Sequence, residues 1–319
     1  MDGQRNTHEA GRSFAAPKLI LLATDLEDDL EHLLPYAVAQ ARASKAICKL
    51  VHVIPPADGT MLDARAIFPA DAAEAEHHAK QRLSVVAANL RASSIPCDVL
   101  IRPGLPAIVV PELVQETGAD RLILGTHGRR HLKKLILGSV ANEILRKVSV
   151  PVCTVGPQVR RPTSAEPQKL LHPVSLAPGY EPSARMALQI AQFHKAAITL
   201  LHVLPHDASP ADQRSHLLDS TRTQLEQLVR EQAPPGIQPT LQIETGPVVE
   251  QILHVAEEMQ ADLIVLGVNP DEHHWPIEKD DTAYEIITRA KSPVLTLRRH
   301  PFDQGSEKER EPDAPSQSG

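Results

Sequence analysis

The fold of this chain is indicated by one segment, Gly125-Thr-His-Gly128-Arg-Arg-His-Leu-Lys-Lys-Leu-Ile-Leu-Gly138-Ser139. The apolar run Arg121-Leu-Ile-Leu124 before it predicts a buried strand, and the apolar residues of Val140–Lys147 after it recur at helical spacing. A glycine-rich loop therefore joins a strand to a helix that begins near Gly138-Ser139. The opening N–H groups of a helix lack intrahelical partners and favour an anion, and glycines let the backbone approach one closely. Ser139 is expected to cap this helix or to donate to a phosphate oxygen.

Composition narrows the class of protein. A length of 319 residues predicts about two domains, and no apolar run reaches the roughly 18 residues of a membrane span. A net charge of −7 and an aromatic content of 3% disfavour nucleic-acid binding. Cys48, Cys97 and Cys153 stand isolated in apolar runs, and the polar start resembles no signal peptide. These features favour a reducing compartment, so we expect a cytoplasmic protein.

Short apolar runs alternate with helical patterns along the first half of the chain. This alternation predicts an α/β fold in which helices cover both faces of a parallel sheet. The predicted strands are Lys18–Asp25, Ala46–Ile54, Cys97–Ile101, Arg121–Leu124 and Val150–Val155.

The second half of the chain repeats the first. Ala261–Gly267 echoes Ala119–Gly125, and the offsets 246−104, 267−125 and 293−151 all equal 142. A constant offset over half a chain indicates a tandem duplication. The expected organisation is a disordered tail at 1–16, a first domain at 17–156, a linker at 157–168, a second domain at 169–299 and a disordered tail at 300–319.

The glycine-rich loop does not survive in the second half. Proline removes an N–H group, and carboxylates repel phosphate oxygens. We therefore expect a structural partner there, with no bound cofactor. The offset of 142 pairs Gly125 with Gly267, Gly128 with Pro270, Gly138 with Asp280 and Ser139 with Asp281, and an offset of 151 near the first strand pairs Asp25 with Leu176.

The spacing of Gly, two residues, Gly, nine residues and Gly-Ser resembles the nucleotide loop of the universal stress protein family. The resemblance covers roughly Lys18–Arg299 and implies two tandem Rossmann-like or flavodoxin-like α/β domains, each a five-stranded parallel sheet in the order 3-2-1-4-5. It also implies pairing through the last strands, here Val150–Val155 against Val294–Arg298, as an intramolecular pseudo-dimer. Further pairing of two chains is left open.

The resemblance implies ATP or another adenine nucleotide as ligand, with or without Mg²⁺. In this interpretation Asp25 and Val53 hold the adenosine, and the loop cradles the phosphates. Taken alone, Asp25 is more typical of a strand-ending turn, and Val53 of a core residue; the intact loop together with the resemblance favours the binding role. The candidate nucleotide-binding residues are Ala23, Thr24, Asp25, Val53, Gly125, Thr126, Gly128, Arg129, Gly138, Ser139 and Val140.

Other chemistry has little support in the sequence. The chain contains no nucleophile-elbow, Walker or dinucleotide-binding motif, so no catalytic residue is predicted, and slow ATP hydrolysis is left open. His127 and His131 have a spacing that binds zinc from a helix, but Gly128 between them disfavours a helix, so no metal site is predicted.

The leading hypothesis is an ATP-binding stress-response sensor or regulator rather than an enzyme. Its expected partners are an adenine nucleotide and unidentified proteins, with neither nucleic acid nor membrane. The alternative is a nucleotide-independent protein-interaction module of the same fold. A small-ligand enzyme on this scaffold is a more distant third, because fold alone does not determine function.

Overall fold

The computed structural model describes residues 15–26, 29–56, 70–126, 137–162, 164, 166–177, 179–205, 211–268 and 281–298. Strands and helices alternate through the described residues of both halves, as the apolar pattern predicts. The first half contains β1 (Leu19–Ala23), α1 (Asp29–Ser44), β2 (Ile47–Ile54), α2 (Ala70–Ala92), β3 (Cys97–Pro103), α3 (Pro106–Thr117), β4 (Arg121–Gly125), α4 (Ser139–Lys147) and β5 (Val152–Val155). The second half contains β6 (Lys169–Pro173), α5 (Glu181–His194), β7 (Ala197–Leu204), α6 (Ala211–Gln232), β8 (Thr240–Thr245), α7 (Val248–Glu258), β9 (Leu263–Val268), α8 (Thr282–Arg289) and β10 (Val294–Arg298).

The ten strands of the described residues form one sheet in the order β3-β2-β1-β4-β5-β10-β9-β6-β7-β8. Counted within each half, this is the order 3-2-1-4-5, and the paired strands within each half are parallel. The halves meet where β5 pairs antiparallel with β10, with Val294 opposite Thr154 and Thr296 opposite Val152. The two five-stranded sheets are therefore one continuous sheet, joined through the last strand of each half.

Two apolar layers sandwich this sheet, and each layer draws residues from both halves. One contains Ile20 and Leu22 of β1 together with Leu170 of β6, and the other contains Leu21 and Leu171. Neighbouring residues of a strand point to opposite faces, so a strand covered on both faces is a continuous apolar run. None of the described helices is long and apolar enough to cross a membrane.

Strand pairing corrects one part of the predicted repeat. His52 Nδ1 bonds to the Thr24 carbonyl and His202 Nδ1 to the Val174 carbonyl, so 202−52 and 174−24 both give an offset of 150. The offset of 151 near the first strand was wrong, and the counterpart of Asp25 is Ser175. Local sequence similarity does not determine register, whereas strand pairing does, because a slip of one residue turns every side chain to the other face. The second half still lacks an acid at this position.

The segment between the halves is held by hydrogen bonds near both of its ends. Val159 is buried, and the Arg160 N–H donates to the Lys291 carbonyl at 3.0 Å. The Tyr36 hydroxyl of α1 donates to the Arg160 carbonyl, and the Gln168 N–H donates to Asp262 Oδ2 at 2.8 Å. This segment therefore holds the first half against the second.

All three cysteines are free and buried. The pairing of β2 with β3 places Cys48 directly opposite Cys97, so these two thiols are neighbours in space. In the sequence the two cysteines look isolated, because their contact comes from strand pairing, which sequence spacing does not show.

Candidate functional site

The end of β1 leads directly into a tight turn at the carboxyl edge of the sheet. The Thr24 N–H donates to the Val51 carbonyl at 3.0 Å, which continues the β1–β2 pairing one residue beyond Ala23. His52 Nδ1 lies 2.9 Å from the Thr24 carbonyl, and since a carbonyl only accepts, this nitrogen carries the proton. Thr24 Oγ1 accepts from the Leu26 N–H at 3.0 Å, and Leu26 has a φ of 67°. The backbone thus holds Asp25 at the tip of the edge.

Val53 lies on β2 beside this turn. Ala23 is opposite Val51 in a parallel pair, so the same register brings Val53 to the level of Asp25. Its side chain is 5% exposed and belongs to the hydrophobic core. The core role of Val53 is therefore directly observed, and a role toward a ligand depends on its position next to Asp25.

The two arms of the glycine-rich loop are tied together. Gly125 is opposite Val155, and the Thr126 N–H donates to the Val155 carbonyl at 3.2 Å. The Gly138 N–H donates to the Thr126 carbonyl at 2.8 Å, so the chain leaves the sheet and returns at one place. Residues 127–136 lie outside the described residues, and the candidates Gly128 and Arg129 are among them.

The start of α4 is the clearest feature of this edge. Gly138 is the residue that precedes the helix, with φ −58° and ψ 143°, and no described side chain caps it. Ser139, which was expected to cap the helix, is instead its first residue, and it is exposed, as is Val140. A Cβ atom added to Gly138 would lie 3.3 Å from the Thr126 carbonyl oxygen. The backbone is therefore closely packed where the opening amides of α4 are left without a side-chain cap.

The corresponding helix of the second half is preceded by a carboxylate, that of Asp281. The offset of 142 pairs Asp281 with Ser139, so α8 begins one residue later in the repeat than α4. Asp281 precedes α8, and its Oδ1 accepts from the Ala283 N–H at 2.8 Å. An acidic side chain here satisfies an opening amide and occupies the position that favours an anion. The predicted obstacle from Asp281 thus has a geometric basis, whereas Pro270 and Asp280 lie outside the described residues.

A second obstacle in the second half was not predicted. Ser183, in the first turn of α5, packs over Gly267 at the end of β9, so a Cβ atom added to Gly267 would lie 2.6 Å from Ser183 Cβ. Ser183 Oγ also donates to the Tyr180 carbonyl at 2.8 Å, which holds it in this position. The start of α5 therefore closes the sheet edge beside Gly267.

One residue that sequence reasoning missed reaches the loop from the other half. The Leu137 N–H donates to the Tyr284 hydroxyl on α8 at 3.2 Å. Tyr284 carries no motif, and 147 positions separate the two residues, so only the tertiary structure could identify it.

The described residues contain no group of three or more His, Cys, Asp or Glu side chains that could hold a metal ion. His77 and His78 of α2 are both exposed. The candidate site thus consists of strand ends, loop arms and a helix start, which are suited to a ligand that carries its own negative charge.

The model of the universal stress protein family matches residues 17–156 and 167–298. These two regions make up most of the chain, and the protein therefore belongs to the universal stress protein family as a tandem member.

Relatives with a single matching region support this assignment. A universal stress protein of Methanocaldococcus jannaschii is 27% identical over 155 residues, which cover 43% of this chain and 94% of that protein. A putative universal stress protein of Staphylococcus epidermidis is 28% identical over 160 residues, which cover 47% of this chain and 93% of that protein.

Two solved structures share the fold over most of the chain. A universal stress protein of Archaeoglobus fulgidus has a TM-score of 0.65 at 19% identity, over 90% of this chain and 98% of that chain. A functionally unknown protein of Pseudomonas aeruginosa has a TM-score of 0.66 at 20% identity, over 90% of this chain and 94% of that chain. The likeness therefore extends across both halves.

Proposed function

We propose that the first half of this protein binds one adenine nucleotide, ATP in the first instance, and that the protein acts in the cytoplasm as a stress-response sensor or regulator. The observation that carries the proposal is the contrast between two equivalent helices. The opening amides of α4 follow Gly138 and have no described side-chain cap, whereas those of α8 are capped by Asp281. Among the described residues, this contrast supports a place for an anion at the start of α4 and none at the start of α8.

The phosphate end of the proposed site is built from backbone. The opening amides of a helix and its dipole stabilise negative charge, and the small residue at Gly138 leaves room for phosphate oxygens to approach. The proposal includes Gly128 and Arg129 on the strength of the loop pattern alone. The proposed phosphate residues are Gly125, Thr126, Gly128, Arg129, Gly138, Ser139 and Val140.

The adenosine end consists of Ala23, Thr24, Asp25 and Val53. An ionised Asp25 accepts hydrogen bonds from a ribose hydroxyl or an adenine amine, and Val53 lies level with it on the neighbouring strand. Mg²⁺ enters this proposal only as a companion of the phosphates, because it needs few protein ligands and keeps several waters.

The second half is proposed as a structural partner without a nucleotide. Asp281 occupies its anion position, and Ser183 covers Gly267. We assign no catalytic residue. The proposed role of the site is to bind a nucleotide and to regulate partner proteins according to whether the nucleotide is bound. The closed second half also favours the alternative function, an interaction module that needs no nucleotide.

The test begins with freshly purified protein, which is denatured and assayed for released nucleotide. Nucleotide-free protein is then titrated with ATP by calorimetry. We expect one ATP per chain, and we expect Gly138→Asp to abolish the binding. A stoichiometry of two ATP per chain would contradict the proposal that the second half binds no nucleotide. If the denatured protein releases no nucleotide and the titration with ATP gives no heat, nucleotide binding is refuted and the interaction module is left.

A further inference from the structure

The second half touches the proposed site through a buried hydrogen bond. The Tyr284 hydroxyl accepts from the Leu137 N–H, and the two residues are 6% and 4% exposed. A buried amide without an acceptor is costly, so this hydroxyl stabilises one position of the Leu137 backbone. Leu137 and Gly138 together are called the loop arm below.

The position of the Leu137 backbone determines where α4 begins, because Gly138 follows it directly and precedes the helix. The next N–H, that of Gly138, donates to the Thr126 carbonyl, and the Gly138 carbonyl accepts from the Asn142 N–H at 2.9 Å. Gly138 is thus held on one side by Thr126, which directly follows β4, and on the other by the first turn of α4. Tyr284 acts one residue before this point, at the origin of the amides that would meet the phosphates.

The helix that carries Tyr284 is itself firmly supported. Asp281 caps its start, and the Thr288 hydroxyl donates to the Tyr284 carbonyl at 2.9 Å. Arg289 near its end bonds to Glu285 at 2.6 Å and to Glu250 of α7 at 2.8 Å. The carboxylate that closes the anion position of the second half therefore stabilises the helix that supports the loop arm of the first.

We propose that Tyr284 is a positioning residue for the phosphate end of the site, so that the half without a nucleotide sets the affinity of the half that binds one. This inference rests on the proposed nucleotide binding. It assigns the second half a task that a sequence comparison of the two loops does not suggest.

The test compares Tyr284→Phe with Tyr36→Phe in the full chain. Both tyrosines are 6% exposed, and each hydroxyl bonds to a backbone group far away in sequence, but Tyr36 bonds to the Arg160 carbonyl and not to the loop arm. We expect Tyr284→Phe to weaken ATP binding about tenfold, as loss of one buried hydrogen bond to a positioned amide implies, and Tyr36→Phe to change it less than about twofold.

Two further readouts separate positioning from a general loosening of the fold. Adenosine, which lacks phosphates, should bind both variants as it binds the unaltered protein. In nucleotide-free protein, amide exchange at Leu137 and Gly138 should be faster in Tyr284→Phe than in Tyr36→Phe. The melting temperatures of the two variants should fall by similar small amounts, because each change removes one buried hydrogen bond.

The other possible results contradict either the proposed nucleotide binding or the positioning role of Tyr284. If the unaltered protein binds no ATP, the proposed function fails and this inference fails with it. If the unaltered protein binds ATP and Tyr284→Phe binds it equally tightly, only the inference fails, even where the amides exchange faster. An equal loss of ATP and adenosine affinity would show that Tyr284 does not act on the phosphate end.

Discussion

Asp25 shows how much a single residue depends on its surroundings. A carboxylate after a strand is common in turns, but here the Thr24–Leu26 hydrogen bond and the left-handed Leu26 hold it at the edge beside Val53. Its counterpart Ser175 has no charge. The proposed role of Asp25 as an acceptor for the nucleoside can therefore be tested by comparing the two positions.

We expect Asp25→Asn to weaken ATP binding by about tenfold or more, because hydrogen bonds to an ionised group contribute about 1.5–3 kcal/mol. Asparagine tolerates the same turn, so the melting temperature should change little. Ser175→Ala in the second half serves as the control and should leave ATP binding unaltered. Calorimetric titration of both variants measures the difference, and equal affinities would return Asp25 to the role of a turn residue.

His172 on β6 predicts a pH dependence of stability. It is 1% exposed, and burial lowers its pKa to about 4, although its bond to the Val265 carbonyl at 2.7 Å acts in the opposite direction. The folded chain keeps His172 neutral where an unfolded chain, with a pKa of about 6.5, takes up a proton. Stability should therefore fall by about 3 kcal/mol as the pH drops from about 6.5 to about 4.

The variant His172→Leu tests this, because the offset of 150 places the buried Leu22 at the same position of the first half. Denaturant unfolding at several pH values should show a shallower acid slope in the variant. Burial also lowers the pKa of His194, so part of the slope should remain. Identical slopes in the two proteins would contradict the assignment to His172.

At the scale of elements, α4 and α8 occupy the same place in the two halves and differ at their starts. Gly138 before α4 leaves room for a ligand, whereas Asp281 before α8 provides the cap from within the chain. An aspartate before a helix is more stabilising than a glycine by only a few tenths of a kcal/mol. The choice between glycine and aspartate before the helix therefore has little effect on stability. It has a large expected effect on anion binding, because the aspartate carboxylate repels an anion and glycine does not.

We expect Gly138→Asp to abolish ATP binding without a loss of stability. The new carboxylate would cap α4 and repel the phosphates, and the 3.3 Å contact of its Cβ atom with the Thr126 carbonyl would offset the small gain from capping. Thermal melting and ATP titration on the same sample measure both effects. Retained ATP binding would show that the phosphates lie elsewhere.

Removing the cap of α8 should not create a second site. Asp281→Ala removes the cap of α8 at a cost of about 1 kcal/mol, but Ser183 still covers Gly267. The chain should melt at a lower temperature and still bind one ATP. A stoichiometry of two in this variant would show that the cap alone closes the second half.

At the scale of the whole molecule, the seam between β5 and β10 makes one sheet from two halves. The Thr154 hydroxyl donates to the Val294 carbonyl at 3.1 Å, and the Thr296 hydroxyl donates to the Val152 carbonyl at 3.2 Å. These buried threonines are related by the repeat offset of 142. The apolar layers on both faces continue across the seam, which couples the halves.

We therefore expect the chain to unfold in a single transition. Replacing both seam threonines, Thr154→Val and Thr296→Val, should cost about 1–3 kcal/mol in total, because each change removes one buried hydrogen bond. Thr288→Val is the control, since its equally buried hydroxyl bonds only within α8 among the described residues. Two separate transitions in the unaltered protein would contradict coupling of the halves through the seam.

The sequence by itself determined the elements, the duplication and the loop that distinguishes the halves. Apolar runs and helical spacing are local patterns, and a repeated offset is visible in the sequence itself. These features can therefore be predicted without a structure. The alternation of strands and helices is present in both halves, and the family assignment follows the glycine spacing at residues 125–139.

The tertiary structure alone decided which distant residues meet. Strand pairing set the register that makes Ser175 the counterpart of Asp25, and it brought Cys48 beside Cys97. Helix packing placed Ser183 over Gly267 and the Tyr284 hydroxyl on the Leu137 amide. Such contacts join positions far apart in the chain and depend on the packing of the whole fold, so no local pattern of residue types records them.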